Sequence, residues 1–260
     1  MCLIIFSHQP GQALPLVLAA NRDEFHARAT EASGFWQDHP DILAGRDLVA
    51  GGTWMGISRS GRFAALTNYR DPEASGPAAR SRGELTLDFL TASSSPADYL
   101  ESLAGREQDY AGYNLLVGSP GDLWYLSNAG PRTQRGPRPL AAGSYGLSNA
   151  SLDTPWPKVT LGKAALEPLL ASRAISHDSL ASTVSSTALA APEDLHLQNL
   201  TAEMDELLSA QFIDAGPYGT RATTTLWASS RGEVSWVERS YDQAGKETAR
   251  VEEVFQVGID

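Results

Sequence analysis

The sequence predicts an α+β fold in which two antiparallel β-sheets are stacked and covered by helices, a four-layer αββα sandwich. Short apolar runs are joined in pairs by tight turns, and such pairs are antiparallel because parallel strands need long crossovers. Blocks of these strands alternate along the chain with helical segments, which favours helices packed over stacked sheets. The chain has 260 residues, 42% of them hydrophobic, and can therefore bury a sizeable core.

The first half of the chain predicts two strand pairs, then two helices, then a third strand pair and a single strand. In chain order we expect strands at 2–6 and 15–20, strands at 52–58 and 62–69, helices at 83–92 and from Pro96 onwards, strands at 112–118 and 122–127, and a strand near 144–149. Turn residues separate the members of each pair, as at Gln9-Pro10-Gly11 and Arg59-Ser60-Gly61. Ser95 is expected to cap the second helix, with Pro96 at its first position.

The second half repeats this order of helices and strands. A helix is expected at 156–170, with Leu161, Ala165 and Leu169 on its apolar side. Pro192 is expected to open another helix that continues to about Leu208, and its apolar side consists of Leu195, Leu197, Leu200, Met204 and Leu207. The C-terminal part predicts a meander of strands at 221–228, 233–241 and 248–256.

Composition limits the class of protein. The formal net charge of −11 disfavours non-specific binding to nucleic acid or to an anionic membrane. No stretch approaches about 20 apolar residues, so we expect no membrane span. The first residues lack the basic region of a signal peptide. We expect a cytoplasmic protein with a single domain over 1–260, and the sequence leaves its oligomeric state open.

Cys2 is the only cysteine, so the sequence excludes an internal disulfide and a cysteine-based metal cage. Because its side chain is small, we expect Met1 to be removed, which leaves a free α-amino group and a thiol on one residue. An α-amino group titrates near about 8 and can accept the thiol proton and later return it to a leaving amine. N-terminal nucleophile hydrolases use this chemistry. The alternative is that Cys2 is a small hydrophobic residue at the start of a strand.

Polar residues directly follow or precede several apolar runs. Asn21-Arg22-Asp23-Glu24 follows the second strand, and alone it fits a solvated strand end or turn. Arg46 and Asp47 precede Gly51-Gly52-Thr53-Trp54, where glycines at a strand start permit close approach of backbone or ligand. These two groups are therefore candidate parts of one site.

Two amides and one arginine complete the candidate set. Asn68 and Asn149 each end a predicted strand, where an amide either caps a turn or donates into an oxyanion hole. Arg221 opens a strand after a stretch rich in glycine and proline, and its alternative is a surface charge. We keep all three as candidate catalytic residues.

Five sequence blocks carry a family resemblance, namely MCLIIF, AANRDEF, GRDLVAGGTWMGI, LTNYRDP and YGTRATT. They resemble the NRDE family, which includes the eukaryotic transport and Golgi organisation proteins, in order and over nearly the whole chain. That family is similar in turn to N-terminal nucleophile hydrolases of the penicillin V acylase and bile salt hydrolase type. The resemblance implies an N-terminal nucleophile hydrolase-like αββα fold with cysteine at the mature N-terminus.

The resemblance also implies roles for residues near the first strands. Cys2 matches the nucleophile, and Asp23 matches the aspartate that contacts the amino group of the nucleophile. The acylases carry an Arg-Asn-x-Asp pattern where this chain has Ala20-Asn21-Arg22-Asp23, so the arginine is missing from its usual place. Arg22 lies two residues further on, which in a strand restores the same face. We expect Asn21 and Arg22 to bind the substrate.

Further matches imply the rest of the site. Leu66-Thr67-Asn68-Tyr69 and Leu147-Ser148-Asn149 match the two acylase segments that surround the oxyanion, which assigns that role to Asn68 and Asn149. Arg221 matches the late active-site arginine. Trp54 and Tyr69 are expected to line an apolar pocket for the substrate, and the alternative for both is a plain core or rim aromatic.

Two functions remain open. One is a hydrolase or acyltransferase that acts on a linear amide, which the retained Cys2 and the two amides favour. The other is a non-catalytic carrier that uses the same cleft, because NRDE family members have been linked to haem trafficking and to lipid or acyl-CoA metabolism. The displaced arginine favours the carrier. No Cys-x-x-Cys-His motif is present, and five histidines are scattered through the chain, namely His8, His26, His39, His177 and His196. We therefore expect no metal site and no resident cofactor, with haem only as a transported ligand.

Overall fold

The computed structural model describes residues 2–70, 78–195 and 201–258. In the first half the elements are β1 (Cys2–His8), β2 (Leu16–Phe25), β3 (Thr30–Phe35), β4 (Ile42–Asp47), β5 (Met55–Ser58), β6 (Phe63–Asn68), α1 (Gly83–Thr91), α2 (Pro96–Ser102), β7 (Tyr113–Ser119) and β8 (Asp122–Ser127). In the second half they are β9 (Arg138–Pro139), β10 (Gly143–Leu147), α3 (Pro157–Ser172), α4 (His177–Ser182), α5 (Ala202–Leu207), β11 (Asp214–Ala215), β12 (Tyr218–Ala228), β13 (Glu233–Tyr241) and β14 (Glu247–Gln256).

The strands form two antiparallel sheets. The first sheet has the order β10-β1-β2-β12-β13-β14, with β11 paired to β12 at one end. The second sheet runs in chain order from β3 to β9. In the first sheet β1 and β2 pair as the predicted hairpin and then meet strands from the far end of the chain. The N-terminal hairpin thus lies in the middle of a sheet, bordered by β10 and β12.

Three apolar clusters show that these sheets form a four-layer sandwich. The central cluster lies between the sheets and contains Ile4 and Leu18 from the first sheet with Ile57 and Phe63 from the second. A second cluster packs α1 and α2 on the outer face of the second sheet. The third packs α3 and α4 on the outer face of the first sheet. The predicted αββα arrangement is confirmed.

Alternation along the strands decides which layer each residue reaches. In β1, Ile4 and Phe6 point between the sheets, whereas Leu3 and Ile5 point toward the helices. In β2, Leu18 and Ala20 belong to the central cluster and Ala19 to the helix side. By the same parity Cys2 and Arg22 face the space between the sheets, so the strand that buries the core also presents the candidate site.

Several expected elements differ from the structure. Residues 21–24 lie within β2 rather than in a turn after it, because β12 pairs with β2 as far as Phe25. The strands β3 and β4 were missed, because their mixed and glycine-containing sequences lack clear alternation. The helix α3 is present, but its predicted apolar side is only partly right. Leu169 packs against the third cluster, whereas Leu161 is exposed. The residues Val159, Gly162 and Leu166 are buried instead.

The expected helix from Pro192 to Leu208 is also wrong as one continuous element. A short 3-10 turn at Pro192–Asp194 ends in extended backbone at Leu195, and residues 196–200 lie outside the described part of the chain. The helix α5 then starts with its own cap, Thr201, whose side chain accepts a hydrogen bond from the Met204 amide. Ser95 caps α2 as predicted. None of the helices in the described residues is long and apolar enough to cross a membrane.

Candidate functional site

A cavity of about 390 Å³ opens between the two sheets at the end where β1 begins. From the predicted site it is lined by Cys2, Arg22, Asp23, Trp54, Asn68 and Arg221. Cys2 and Arg221 lie more than two hundred positions apart in the chain. They meet because β1, β2 and β12 are neighbours in the first sheet, and Trp54 and Asn68 come from the side of the facing second sheet. At this end of the sandwich, polar side chains therefore replace the apolar core between the two sheets.

Strand register builds the floor of this cavity. Cys2 pairs with Arg22, Arg22 with Ala222, and Ala222 with Ser240, so the four residues form one row across four strands. All four line the cavity. At the usual strand spacing the row is roughly 14 Å long. The small side chains of Ala222 and Ser240 leave a trough that leads away from the Cys2 thiol and the Arg22 guanidinium beside it.

The next row inward marks the boundary with the core. There Thr224 pairs with Glu238, whose carboxylate is buried and also lines the cavity. Glu238 accepts hydrogen bonds from the backbone and hydroxyl of Ser33, both at 2.7 Å, and from the Thr224 hydroxyl. Burial raises the pKa of the Glu238 carboxyl. Glu238 thus fixes β3 against the first sheet while it forms part of the cavity floor.

The opposite wall comes from the second sheet and from α1. A Cβ on Gly52 would lie 2.4 Å from the backbone oxygen of Gly83, so only glycine permits this close approach. The Thr53 amide donates to the Gly83 carbonyl, and the Thr86 hydroxyl donates to the Thr53 carbonyl. This contact places the start of α1, and with it Arg82, at the edge of the cavity. The glycine pair singled out in the sequence therefore serves backbone packing next to the site.

A β-bulge directs Arg221 toward the site. The register of β12 with β2 shifts between Thr220 and Ala222, so Arg221 is the extra residue. Its Nη1 donates to the carbonyls of Phe25 and Arg28, each at 3.0 Å. Arg221 therefore lines the cavity, and part of its guanidinium holds the chain where β2 ends.

Cys2 and Asp23 are both buried at the inner end of the cavity. Burial raises the pKa of the Cys2 thiol, and the positive charge of Arg22 opposes that shift without cancelling it. Desolvation of the thiolate outweighs the attraction of Arg22, so the net shift of the thiol pKa is upward. Burial also raises the pKa of the Asp23 carboxyl, which accepts a hydrogen bond from the Thr220 hydroxyl at 2.7 Å.

The two candidate amides differ in position. Asn68 lines the cavity at the end of β6. Asn149 is buried beside it and does not line the cavity; its Nδ2 donates to the Asn68 carbonyl at 2.9 Å. The Ser148 hydroxyl lies 3.0 Å from the Cys2 carbonyl and 3.2 Å from Oδ1 of Asn149. Asn149 is thus linked to Cys2 through the Ser148 hydroxyl. One of its amide protons is already used in the hydrogen bond to the Asn68 carbonyl.

Two predicted substrate-binding residues do not reach the cavity. Asn21 points to the helix layer, where Nδ2 donates to the carbonyls of Val184 and Gln211 and Oδ1 accepts from the Thr223 hydroxyl. Successive side chains of a strand point to opposite faces of the sheet, so Asn21 faces the helices because Arg22 faces the cavity. Tyr69 lies past the end of β6, where its backbone and Cβ adjoin Gly112 and the hydroxyl end of its ring adjoins Gly130. Trp54 lines the cavity and also packs against the central core.

Sequence reasoning missed three charged residues that lie in the cavity or behind it. Glu238 shares a strand face with Val234 and Trp236, and a carboxylate on an apolar face was a signal that could have found it. Arg82 gave no signal, because only the packing of α1 brings it to the cavity. Lys158 lies behind the sheet, where its Nζ donates to the Leu208 carbonyl at 2.9 Å and burial lowers its pKa to about 8. The charge of Lys158 opposes the upward shift of the Asp23 pKa.

Comparison with known proteins identifies the family. The family model for Transport and Golgi organisation 2 matches residues 1–243. The chain belongs to this family. It is 36% identical over 261 residues to the Transport and Golgi organization protein 2 homolog of Bos taurus, covering 92% of this chain and 93% of the relative. It is 28% identical over 292 residues to Transport and Golgi organization protein 2 of Drosophila melanogaster, covering 100% of both chains.

Solved structures resemble the fold of this family member at low sequence identity. A variant of the conjugated bile acid hydrolase from Clostridium perfringens aligns with a TM-score of 0.52 at 9% identity, covering 99% of each chain. The N-acylethanolamine-hydrolyzing acid amidase ortholog of Caenorhabditis elegans aligns with a TM-score of 0.50 at 11% identity, covering 87% of this chain and 92% of that one. The chain therefore has the N-terminal nucleophile hydrolase fold.

Proposed function

We propose that the chain is an N-terminal cysteine hydrolase or acyltransferase that acts on a linear amide. The observation that carries the proposal is the row in which Cys2 and Arg22 pair across β1 and β2 at the inner end of an open trough. A thiol at that position is partly enclosed by protein but reachable along the trough. The likeness in fold to an acid amidase and to a conjugated bile acid hydrolase supports a hydrolase without specifying a substrate.

The first step requires the amine of Cys2. Removal of Met1 frees an α-amino group, which takes the proton of the Cys2 thiol directly or through one water. Since burial raises the thiol pKa, little thiolate is present at rest, and proton transfer has to accompany attack. The sulfur then forms a bond to the carbonyl carbon, and the carbonyl oxygen becomes an oxyanion. Asp23, buried beside Cys2, orients the ammonium.

Collapse of the intermediate completes the transfer. The ammonium of Cys2 gives its proton to the leaving nitrogen, the carbon–nitrogen bond breaks, and an acyl thioester remains on the sulfur. Water then attacks the thioester in a hydrolase, whereas an acceptor amine or alcohol attacks it in an acyltransferase. Asn68 at the cavity wall is the nearer of the two amides for the oxyanion, an effect worth roughly 3–4 kcal/mol per donor in hydrolases.

A non-catalytic carrier that uses the same cavity is the second candidate. The observation that favours it is the engagement of Asn149, whose Nδ2 already donates to the Asn68 carbonyl and which does not line the cavity. A carrier in haem trafficking or in lipid or acyl-CoA metabolism needs shape and charge but no second oxyanion donor. In that case haem is a transported ligand and no resident cofactor is involved.

Variants at Cys2 separate the two candidates. An amidase loses essentially all turnover in Cys2→Ala, and Cys2→Ser falls by orders of magnitude because a hydroxyl is far less acidic than a thiol. A carrier tolerates both substitutions, with ligand affinity changed by less than about tenfold. The experiment pairs hydrolysis of a panel of acyl amides with titration of haem and of acyl-CoA for each variant. Unchanged binding in Cys2→Ala, together with no hydrolysis by the wild type, selects the carrier.

A further inference from the structure

Five arginines line the cavity in the described residues, and three of them are already engaged. Arg28 forms a two-pronged ion pair with Asp47, and its Nη2 lies 2.7 Å from Oδ2 of that residue. Arg46 forms a similar pair with Asp38 outside the cavity and stacks on Trp36. Arg221 donates to two backbone carbonyls. The guanidinium groups of these three residues have their acceptors within the protein.

The other two arginines, Arg22 and Arg82, are different. Nη1 of Arg22 is buried and has no hydrogen-bond partner among the residues that the structure describes. Its nearest carboxylate is that of Glu24, at a long 3.9 Å from Nη2. Arg82 donates from Nη1 to the Gly112 carbonyl and forms no ion pair within the described part of the chain. Both therefore retain donors for which the described residues supply no acceptor.

These two arginines approach the thiol from opposite layers. Arg22 is the direct cross-strand neighbour of Cys2 in the first sheet. Arg82 precedes α1 on the second-sheet side, lines the same cavity, and interacts electrostatically with Cys2. The two buried carboxyls of the cavity, Asp23 and Glu238, receive their hydrogen bonds from hydroxyl and backbone groups of the protein. Neither of these carboxyls forms an ion pair with Arg22 or Arg82 in the described residues.

We propose that Arg22 and Arg82 together bind an anionic oxygen group of the ligand, a carboxylate, sulfonate or phosphate, directly beside the Cys2 thiol. A guanidinium donates in a planar fork that matches such groups, and two of them from facing walls suit one anion placed between them. For an amidase, and resting on that proposed function, the substrate carries its anion within a few bonds of the scissile carbonyl. For a carrier, the same pair holds the anionic end of the cargo.

The test uses Cys2 as its own reporter and needs no turnover. Iodoacetate and iodoacetamide alkylate a thiolate by the same displacement of iodide and have nearly the same shape, but only iodoacetate is an anion. Because Cys2 is the only cysteine, intact mass follows alkylation at one site. The measured quantity is the ratio of the two rates, iodoacetate over iodoacetamide, divided by the same ratio for N-acetylcysteine at equal pH and ionic strength.

The ratio separates anion binding from a change in thiol pKa. An arginine that only tunes the thiol changes both rates equally and leaves the ratio unchanged, whereas an anion-binding arginine changes the iodoacetate rate alone. We expect the wild-type ratio to exceed that of the free thiol, and Arg22→Gln or Arg82→Gln to lower it about fivefold or more. Arg22→Lys is expected to retain part of the preference. Arg46→Gln removes a cavity arginine that is already paired and is the matched control, with a ratio unchanged within about twofold.

Two results overturn the proposal: a wild-type ratio equal to that of the free thiol, or equal losses with both reagents in Arg22→Gln and Arg82→Gln. Thermal unfolding checks that each variant folds, and if Arg82→Gln does not fold, the result for Arg22→Gln decides. Competition by acetate and by inorganic phosphate then ranks a carboxylate against a phosphate as the preferred group. A wild-type ratio above that of the free thiol, together with no amide hydrolysis, supports the anion site and contradicts the hydrolase. The two proposals can therefore fail independently of each other.

Discussion

At the scale of single residues, the proposed chemistry depends on the surroundings of Cys2. The thiol is buried at the end of β1, with Arg22 across the strand pair, and its carbonyl lies within hydrogen-bond distance of the Ser148 hydroxyl. Burial raises the thiol pKa, which lowers the reactivity of the thiol toward electrophiles. Activation then depends on a base beside the sulfur, and the candidate is the α-amino group of Cys2 itself.

Removal of Met1 is therefore expected to activate Cys2. In protein produced in the cytosol, the intact mass should correspond to a chain that begins at Cys2. The pH profile of iodoacetamide alkylation should shift downward by about one unit relative to a form that retains Met1, because the new ammonium stabilises the thiolate. Quantitative retention of Met1 in protein that hydrolyses amides or binds its ligand contradicts the N-terminal nucleophile.

At the scale of elements, close packing between a loop and a helix shapes one wall of the cavity. The 52–53 segment lies against the start of α1 so tightly that a Cβ on Gly52 meets the Gly83 carbonyl. The same contact places Arg82 at the cavity edge. A small change in the contact between Gly52 and α1 is therefore expected to alter both the free energy of unfolding and the position of Arg82 in the candidate anion site.

Gly52→Ala is expected to lower the free energy of unfolding by about 1–3 kcal/mol, because the added methyl group displaces α1. Urea denaturation measures this loss as a lower midpoint at unchanged slope. Gly34→Ala, in β3, is the matched control, because its added Cβ has no heavy atom within 4 Å. A Gly52→Ala protein as stable as the Gly34→Ala protein contradicts the close contact.

A second element-scale prediction concerns α4 and pH. His177 opens this helix, stacks on Trp227 and contacts the hydroxyls of Thr225 and Ser235 with its two ring nitrogens. Burial lowers its pKa to about 4, with Asp178, Glu252, Arg239 and Arg250 as the charged groups around it. The unfolded chain binds a proton at this residue near pH 6.5, before the folded chain does, so stability falls as pH drops through this window.

His177→Gln is expected to flatten the stability profile between about pH 6.5 and 4, removing on the order of 1 kcal/mol of pH dependence after the partial exposure of the ring is discounted. Urea midpoints across this pH range measure the slope for wild type and variant. His39→Gln, in the turn between β3 and β4, controls for loss of a histidine elsewhere. An unchanged slope in His177→Gln shows that other groups account for the acid sensitivity.

At the scale of the whole molecule, a buried polar network joins the two sheets next to the site. The Asn114 amide nitrogen donates to the Thr67 hydroxyl and to the Ala150 carbonyl, and its oxygen accepts from the Tyr125 hydroxyl at 2.6 Å. The Thr67 hydroxyl donates to the carbonyl of Ser148, whose own hydroxyl lies at the Cys2 carbonyl. The network therefore connects the second sheet to Cys2 through Ser148, which directly follows β10.

Asn114→Leu is expected to lower the free energy of unfolding by about 3 kcal/mol, because several buried polar groups lose their partner at once. The rate of Cys2 alkylation should change as well, since the Ser148 segment loses its support. Asn128→Ala, at the residue after β8, removes bonds to the Tyr113 amide and the Glu107 carbonyl, neither of which bonds to Asn114, Thr67 or Ser148. It should cost about 1 kcal/mol and leave alkylation unchanged, and equal effects of both variants on Cys2 contradict the connection.

The sequence by itself determined the layers and much of the site. Tight turns made the strand pairs antiparallel, alternation assigned the core faces, and the family motifs pointed to Cys2, Asp23 and Asn68, all now at one cavity. These are local properties, since turn chemistry and strand parity involve residues that are close in the chain. Alternation along β2 also predicts that Asn21 and Arg22 face opposite sides of the sheet. The motif alone had suggested that both residues bind the substrate.

The tertiary structure decided what depends on contacts between distant segments. The register of β12 with β2 turns Arg221 into a bulge residue, and the packing of α1 against Gly52 brings Arg82 to the thiol. The burial that raises the Cys2 pKa comes from layers that no local pattern encodes. The physical reason is the same in each case, because desolvation and charge proximity depend on distance in space, and strand order sets that distance independently of spacing along the chain.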